Sequence, residues 1–227
     1  MAFYEPGRPR KKGPDEELTE EEKKAEQKAE IMDFIRFLVI AVAVVVVLLN
    51  FVIINATIPS GSMENTIMTG DRIIGFRLSY IRKDPERYDI VIFRYPDNEK
   101  NLFIKRVIGL PGETVVVSEG KVYVLPEDAE TGFVTDDELR QNPTMFEGTL
   151  QLDDSFCPEP PLGGNYYDGV FRIPEGHYFM MGDNRNHSND SRFWVNKYVS
   201  RDKILGKALF RYWPITKFKI FRYEGFE

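Results

Sequence analysis

The chain has 227 residues, enough for one domain with a buried core plus flanking segments. Its net charge of -6, with no basic stripe along it, argues against nucleic acid as a partner. A single cysteine, Cys157, excludes an intrachain disulfide; two histidines and no Cys/His cluster at zinc spacing give no reason to expect a metal or any other cofactor.

Residues 1–14 mix Pro, Gly and basic residues, cannot supply a core, and are expected to be disordered. From Asp15 to Asp33 the composition turns to Glu, Lys and Ala, which predicts a solvated helix, with Thr19 and Glu22 spaced as a capping box. Phe37 to Ala56 carries no charge and matches the ~20 residues that span a hydrocarbon core. A cleavable signal peptide is the competing reading, but the preceding tail is long and acidic and the apolar run exceeds the ~7–15 residues of a signal core. The organisation expected is a tail to residue 35, a membrane helix over 36–56 and an outer domain over 57–227. Lys23, Lys24, Lys28 and Arg36 lie closer to the span than Arg72, Arg77, Arg82 and Lys83, which predicts a cytoplasmic N-terminus.

The outer part reads as mainly β. Short runs rich in β-branched and aromatic residues begin at Asp71, Tyr88, Leu102 and Glu113, each bounded by Gly, Pro, Asp or Asn. Val117 to Val124 predicts a hairpin turning at Glu119-Gly120. Strands return at Val170–Pro174, at Tyr178–Met181 and from Gly206 to Tyr223. Such spacing favours a folded-over or barrel-like antiparallel sheet. Between them, residues 126–172 are acidic and Pro- and Gly-rich and are expected to form an inserted, looser subdomain.

Three stretches carry candidate chemistry. Ile58-Pro-Ser-Gly-Ser-Met63 follows the apolar run; alone it has the composition of a linker. In Phe103-Ile-Lys-Arg-Val107, alternation puts Lys105 with Phe103 and Val107 on one face and Arg106 with Ile104 and Ile108 on the other. Both faces are mostly apolar, so a charge here either snorkels from an edge or is buried. A buried lysine can lose up to ~3–5 pKa units and become a base near neutrality. Gly182-Asp-Asn-Arg-Asn-His-Ser-Asn-Asp-Ser-Arg192 is nearly all polar; it is a surface turn by composition, yet Asp190 and Arg192 could pair and Ser188 could bond a neutral amine. His187 also permits a Ser-His-Asp arrangement of Ser62 with Asp183 or Asp190.

Taken together, Ile58-Pro-Ser-Gly-Ser-Met-x-x-Thr66 with Gly70-Asp71, Ile104-Lys-Arg-Val-Ile-Gly-Leu-Pro-Gly-Glu113 and Gly182-Asp-Asn-Arg-x-x-Ser-x-Asp-Ser-Arg-x-Trp194 resemble the type I signal peptidases. These are membrane-bound Ser-Lys endopeptidases that remove signal peptides from exported proteins. The resemblance implies Ser62 as nucleophile, Lys105 as general base, Ser60 and the Ser62 backbone N–H as oxyanion donors, Ser188 orienting the amine, and Asp190 paired with Arg192. It implies that Ile58, Pro59, Met63, Ile67, Phe103 and Ile104 bind the substrate's small side chains. The implied partners are signal peptides, membrane lipid and a neighbouring export translocase, with the enzyme a single-pass protein of the bacterial plasma membrane. The alternatives are a narrow-substrate relative that processes a pilin or surface protein, and an inactive membrane-tethered scaffold. The self-cleaving repressors that share Ser-Lys chemistry lack such a span. Two departures stand out: Glu64-Asn65 where a Pro usually precedes the Thr, and Val195 where a Gly usually follows the Trp.

Overall fold

The structure, a computed structural model, describes residues 20–126, 129, 134–157, 159–163 and 168–222. The expected disordered tail over 1–14 and the expected N-cap Thr19 lie outside the described residues. The chain divides into two units at Leu48/Leu49.

The first unit is built on helix α1, Glu20–Val47, which begins in Glu, Lys and Ala and becomes wholly apolar after Arg36. Its apolar side chains, Phe37, Leu38, Val39 and Ile40 among them, are exposed all round the helix. That pattern suits hydrocarbon rather than one buried face. The helical stretch from Lys23 to Val52, which ends in a π-helical turn, is long and apolar enough to cross a membrane.

The expected span over 36–56 runs too far. Residues Ile53–Thr57 form strand β1, antiparallel to β2 (Arg72–Phe76) from Ile53↔Phe76 to Thr57↔Arg72. Ile53-Ile54 are as apolar as the helix before them, so composition hides the change. Their β-branching and a waiting partner strand decide it.

Ten more strands follow: β3 (Ile90–Tyr95), β4 (Asn98–Gly109), β5 (Thr114–Ser118), β6 (Lys121–Leu125), β7 (Leu150–Gln151), β8 (Gly169–Arg172), β9 (His177–Met181), β10 (Val199–Ser200), β11 (Ile204–Trp213) and β12 (Lys219–Ile220). Among the described residues they form two antiparallel sheets. One has the order β1-β2-β11-β3-β4-β9-β10, with β12 also on β11; the other has the order β7-β6-β5-β8. The β5–β6 hairpin turns at Glu119 and Gly120, with φ of 49° and 77°, as the sequence predicts.

The described part of the 126–172 segment joins the smaller sheet. It contributes β7 and helix α2 (Asp136–Gln141), whose N-cap Thr135 forms a full capping box with Glu138. Leu139 of α2 packs with Val116, Tyr123 and Leu125. The main core joins the two sheets through Ile108, Val115, Val117, Val124, Phe171, Phe179 and Met181. Each such burial is worth about 1.5–3 kcal/mol.

Strand β4 organises the functional end. It pairs with β3 over residues 98–106 and with β9 only from Arg106 onward. Its last residue, Gly109, is wedged into the core: a Cβ there would lie 2.2 Å from Ile173 Cδ1, 2.7 Å from Val115 Cγ2 and 3.2 Å from Phe179 Cβ. Gly109→Ala is therefore expected to destabilise the fold by about 1–3 kcal/mol, measured as a lowered midpoint in denaturant titration.

Candidate active site

The stretch from Ile58 to Asp71 is a loop fastened at its base. Ile58 N donates to Asp71 O at 2.9 Å and Gly70 N to Ile58 O at 2.8 Å. The Asp71 carboxylate accepts from Met68 N at 2.8 Å and from the buried Arg211 guanidinium at 2.6 Å. Gly70 meets this closure with a φ of 86°, a region glycine enters without penalty. Met63 and Ile67 anchor the loop in a core cluster with Ile54, Ile58, Ile90 and Ile92. Ser62 is thereby held at 8% exposure.

Lys105 and Arg106 are both buried, at 3% and 4% exposure, on opposite faces of β4. Neither snorkels. Lys105 Nζ donates to Ser62 Oγ at 2.6 Å and to Ile104 O at 3.2 Å. Burial, which disfavours the ammonium, lowers its pKa to about 8, against the upward pull of the Asp190 and Asp183 carboxylates. Arg106 makes a two-point ion pair with Asp183, at 2.8 and 2.6 Å, and donates to Tyr88 O at 2.9 Å.

The polar loop over 182–192 is buried rather than a surface turn. Asp190 accepts from Gly182 N at 3.0 Å and pairs with Arg192 at 2.9 and 3.0 Å. Burial alone would raise the Asp190 carboxyl, but the Arg192 charge and these bonds outweigh it and hold it below the usual range. Asn184 N donates to Ser62 O at 3.1 Å, which ties this loop to the serine. Gly182 leaves room for the approach: a Cβ there would sit 2.3 Å from both Ser188 Oγ and Ser62 O.

Other sequence-predicted residues fall less uniformly. Ser188 is buried near this junction, but its Oγ makes no hydrogen bond of ordinary geometry among the described residues, so the expected bond to Lys105 is not formed. It stands close enough to Asp190 to help to keep that carboxylate ionised. Ile58, Met63 and Ile67 share one apolar cluster with Ile104. Phe103 does not join them; it lies on the other face of β4, stacked on Tyr95 at 4.3 Å and edge-on to Trp194 at 6.0 Å. Pro59 and Ser60 are exposed at the start of the loop. His187 is exposed, and it is Lys105 that bonds Ser62. Sequence reasoning gave no role to Asn184, Gly182 or Arg106 and considered Asp183 only as a triad carboxylate, although all four lie in the quoted motifs; Asp183 instead pairs with Arg106.

A buried serine hydroxyl bonded to a buried lysine amine, on antiparallel sheets, is the pair of groups that a serine hydrolase of the Ser-Lys class requires. Comparison of the sequence with known families narrows it, because the profile described as "Signal peptidase, peptidase S26" matches residues 31–213. The chain belongs to the signal peptidase family, peptidase S26. It is 37% identical over 185 residues to "Probable signal peptidase I-2" of Synechocystis sp., covering 79% of this chain and 72% of the relative. It is 36% identical over 205 residues to "Signal peptidase I" of Pseudomonas fluorescens, covering 77% and 70%. A crystal structure of a signal peptidase I from Enterococcus faecalis V583 is 29% identical and covers 55% of this chain and 97% of that one, with a TM-score of 0.32. The family assignment therefore rests on sequence.

The departure at Asn65 has a structural counterpart. Asn65 has a φ of 78°, which proline's ring, fixed near -65°, cannot adopt. Its Nδ2 donates to Phe156 O at 2.6 Å, tying the turn after Ser62 to the end of the acidic segment. Asn65→Pro is expected to cost more than about 1 kcal/mol of stability. Asn65→Gly, which keeps the backbone and loses one exposed bond, should cost about 1 kcal/mol or less. Thermal unfolding of the two variants side by side checks the order.

Proposed function

We propose that this protein removes N-terminal signal peptides from exported preproteins, with Ser62 as nucleophile and Lys105 as general base. The observation that carries this reading is the 2.6 Å bond from a buried, pKa-lowered lysine amine to a buried serine hydroxyl. In the neutral state Lys105 takes the Ser62 proton as Oγ attacks the scissile carbonyl. The Ser62 backbone N–H and the Ser60 hydroxyl stabilise the oxyanion. The lysine then gives its proton to the leaving amine, and a water, deprotonated by the same amine, releases the acyl enzyme.

The substrate lies extended along β4. Over residues 100–105 this strand is paired on one side by β3, while β9 begins only at Arg106. A free backbone edge ending at Lys105 suits strand addition. The apolar cluster of Ile58, Met63, Ile67 and Ile104 floors the small-residue pockets, and exposed Pro59 and Ser60 line the approach. Phe103 supports Lys105 from the same face of the strand, with its ring 5.4 Å from Nζ. Ser188 and the Asp190–Arg192 pair support the lysine's side of the site.

The catalytic unit acts outside the cytoplasm, anchored by the helical stretch Lys23–Val52 with its N-terminus cytoplasmic, as the positive charges before the span favour. Lipid contact extends to the catalytic unit, near an export translocase. Trp213, Ile215, Phe218 and Ile220 are exposed and interleaved with Lys217 and Lys219, a composition suited to an anionic headgroup surface.

Ser62→Ala and Lys105→Ala are each expected to abolish preprotein cleavage in detergent micelles, while His187→Ala stays within about twofold of the parent; an active Lys105→Ala would sink the dyad. Because the neutral amine is the working form, kcat/KM should fall about tenfold per pH unit below the Lys105 pKa of about 8, and level off above it. Charge-neutral substitution of Trp213, Ile215 and Phe218 by Ser should weaken sedimentation with anionic vesicles when the span is removed, and unchanged sedimentation would remove that surface from the reading.

A further inference from the structure

Asn184 grips both carbonyl groups that flank the Ser62 α-carbon. Its side-chain Nδ2 donates to Gly61 O at 3.1 Å, and its backbone N donates to Ser62 O at 3.1 Å. Nδ2 also lies 3.4 Å from Glu64 Oε2. Both of these neighbours are acceptors only, so the amide end facing them is the NH2 group. The residue is buried, and the Glu64 carboxylate is folded over Gly61 so closely that a Cβ on that glycine would lie 2.6 Å from Oε1.

Peptide units are planar, and a residue has two soft backbone dihedrals. Holding the carbonyl of the Gly61–Ser62 peptide fixes the direction of the Ser62 N–H on its opposite side. Holding the Ser62 carbonyl fixes the next plane. With both planes pinned, φ and ψ at Ser62 are set, and with them the aim of the N–H and the starting point of the Oγ side chain. Lys105 fixes Oγ itself but has no bond to either peptide.

We propose that Asn184 is a positioning residue that pre-aims the Ser62 backbone N–H at the developing oxyanion. This rests on the reading of Ser62 as nucleophile and its N–H as an oxyanion donor. Asn184 bonds Gly61, Ser62 and Glu64 and, among the described residues, not the Lys105 amine, so it acts on the transition state through the backbone and leaves proton transfer unaltered.

The test uses the full chain in detergent micelles with a preprotein substrate. Asn184→Leu and Asn184→Ala both lack the amide donor but keep the backbone N–H bond to Ser62 O; the alanine variant cannot overpack if leucine does. Both are expected to lower kcat about 10- to 100-fold, less than or comparable to losing one oxyanion donor outright, with KM and the apparent pKa of the kcat/KM profile unchanged. A substrate-like peptide aldehyde supplies a second readout. Ser62 Oγ bonds its carbonyl carbon, the C=O π bond breaks, and the oxygen carries the resulting charge until it takes the serine proton. Its Ki should rise by the same factor as kcat/KM falls. A kcat within twofold of the parent in the alanine variant overturns the proposal while leaving the dyad intact. A loss that comes with a shifted apparent pKa or an unaltered aldehyde Ki assigns Asn184 another role and overturns it as well. Cleavage by Ser62→Ala would instead overturn the underlying reading.

Discussion

The Lys105 amine, hydrogen-bonded to Ser62, can accept a proton only while it is neutral, and the surrounding charges bear directly on that condition. Burial pushes the proton off, but Asp183 and Asp190 pull it back. Each of those carboxylates is tied to its own arginine, Asp183 to Arg106 and Asp190 to Arg192. A third pair, Arg185 with Asp154 at 2.7 Å, stands next to Asp183. Pair by pair these side chains cancel, so the set is balanced with Lys105 uncharged. Removing Arg106 or Arg192 would leave an uncompensated buried carboxylate, with a large cost in stability and a more basic lysine. The guanidinium groups thus bear on the charge of Lys105 without a bond to it.

Geometry is held on a different principle. Ser62 lies in a loop, where backbone freedom would ordinarily blur the aim of its hydroxyl. Here the loop is closed at its base by the Ile58–Asp71 and Gly70–Ile58 bonds, pinned below by Met63 and Ile67, and gripped from the side by Asn184 and Asn65. The last of these reaches Phe156, whose ring covers the Arg106 guanidinium at 4.3 Å. The turn after Ser62 and the arginine that balances Asp183 therefore share one support.

What could be read from the sequence follows from how local each feature is. That Ser62 and Lys105 meet was legible because their motifs occur together in a fixed order, and the face parity of β4 correctly separated Lys105 from Arg106. The same parity separates Phe103 from Ile104, yet both were grouped as pocket residues, because resemblance assigns roles by position without tracking faces. The membrane helix was visible in composition, but its end was not: Ile53 and Ile54 suit lipid and strand equally, and only pairing with β2 distinguishes them. Asn65 appeared as a lost proline; its hydrogen bond to Phe156, 91 residues away, has no local signature. The polar run over 182–192 looked like a surface turn because its partners, Arg106, Gly61 and Ser62, are equally remote in sequence.

Among the described residues, β4 has a second partner strand only from Arg106 onward, which leaves its earlier part as an open edge. A strand edge with unpaired donors and acceptors is a liability, since it invites pairing with any extended chain. Covering it would stabilise the protein and exclude a substrate. The chain keeps the edge short instead: β9 takes over at Arg106, one residue past the lysine, and the solvent-facing start of β4 carries Glu99 and Lys100. Glu99 is further held by Lys203 at 2.9 Å. Among the described residues the uncovered stretch thus runs only up to Lys105, the residue whose amine meets Ser62.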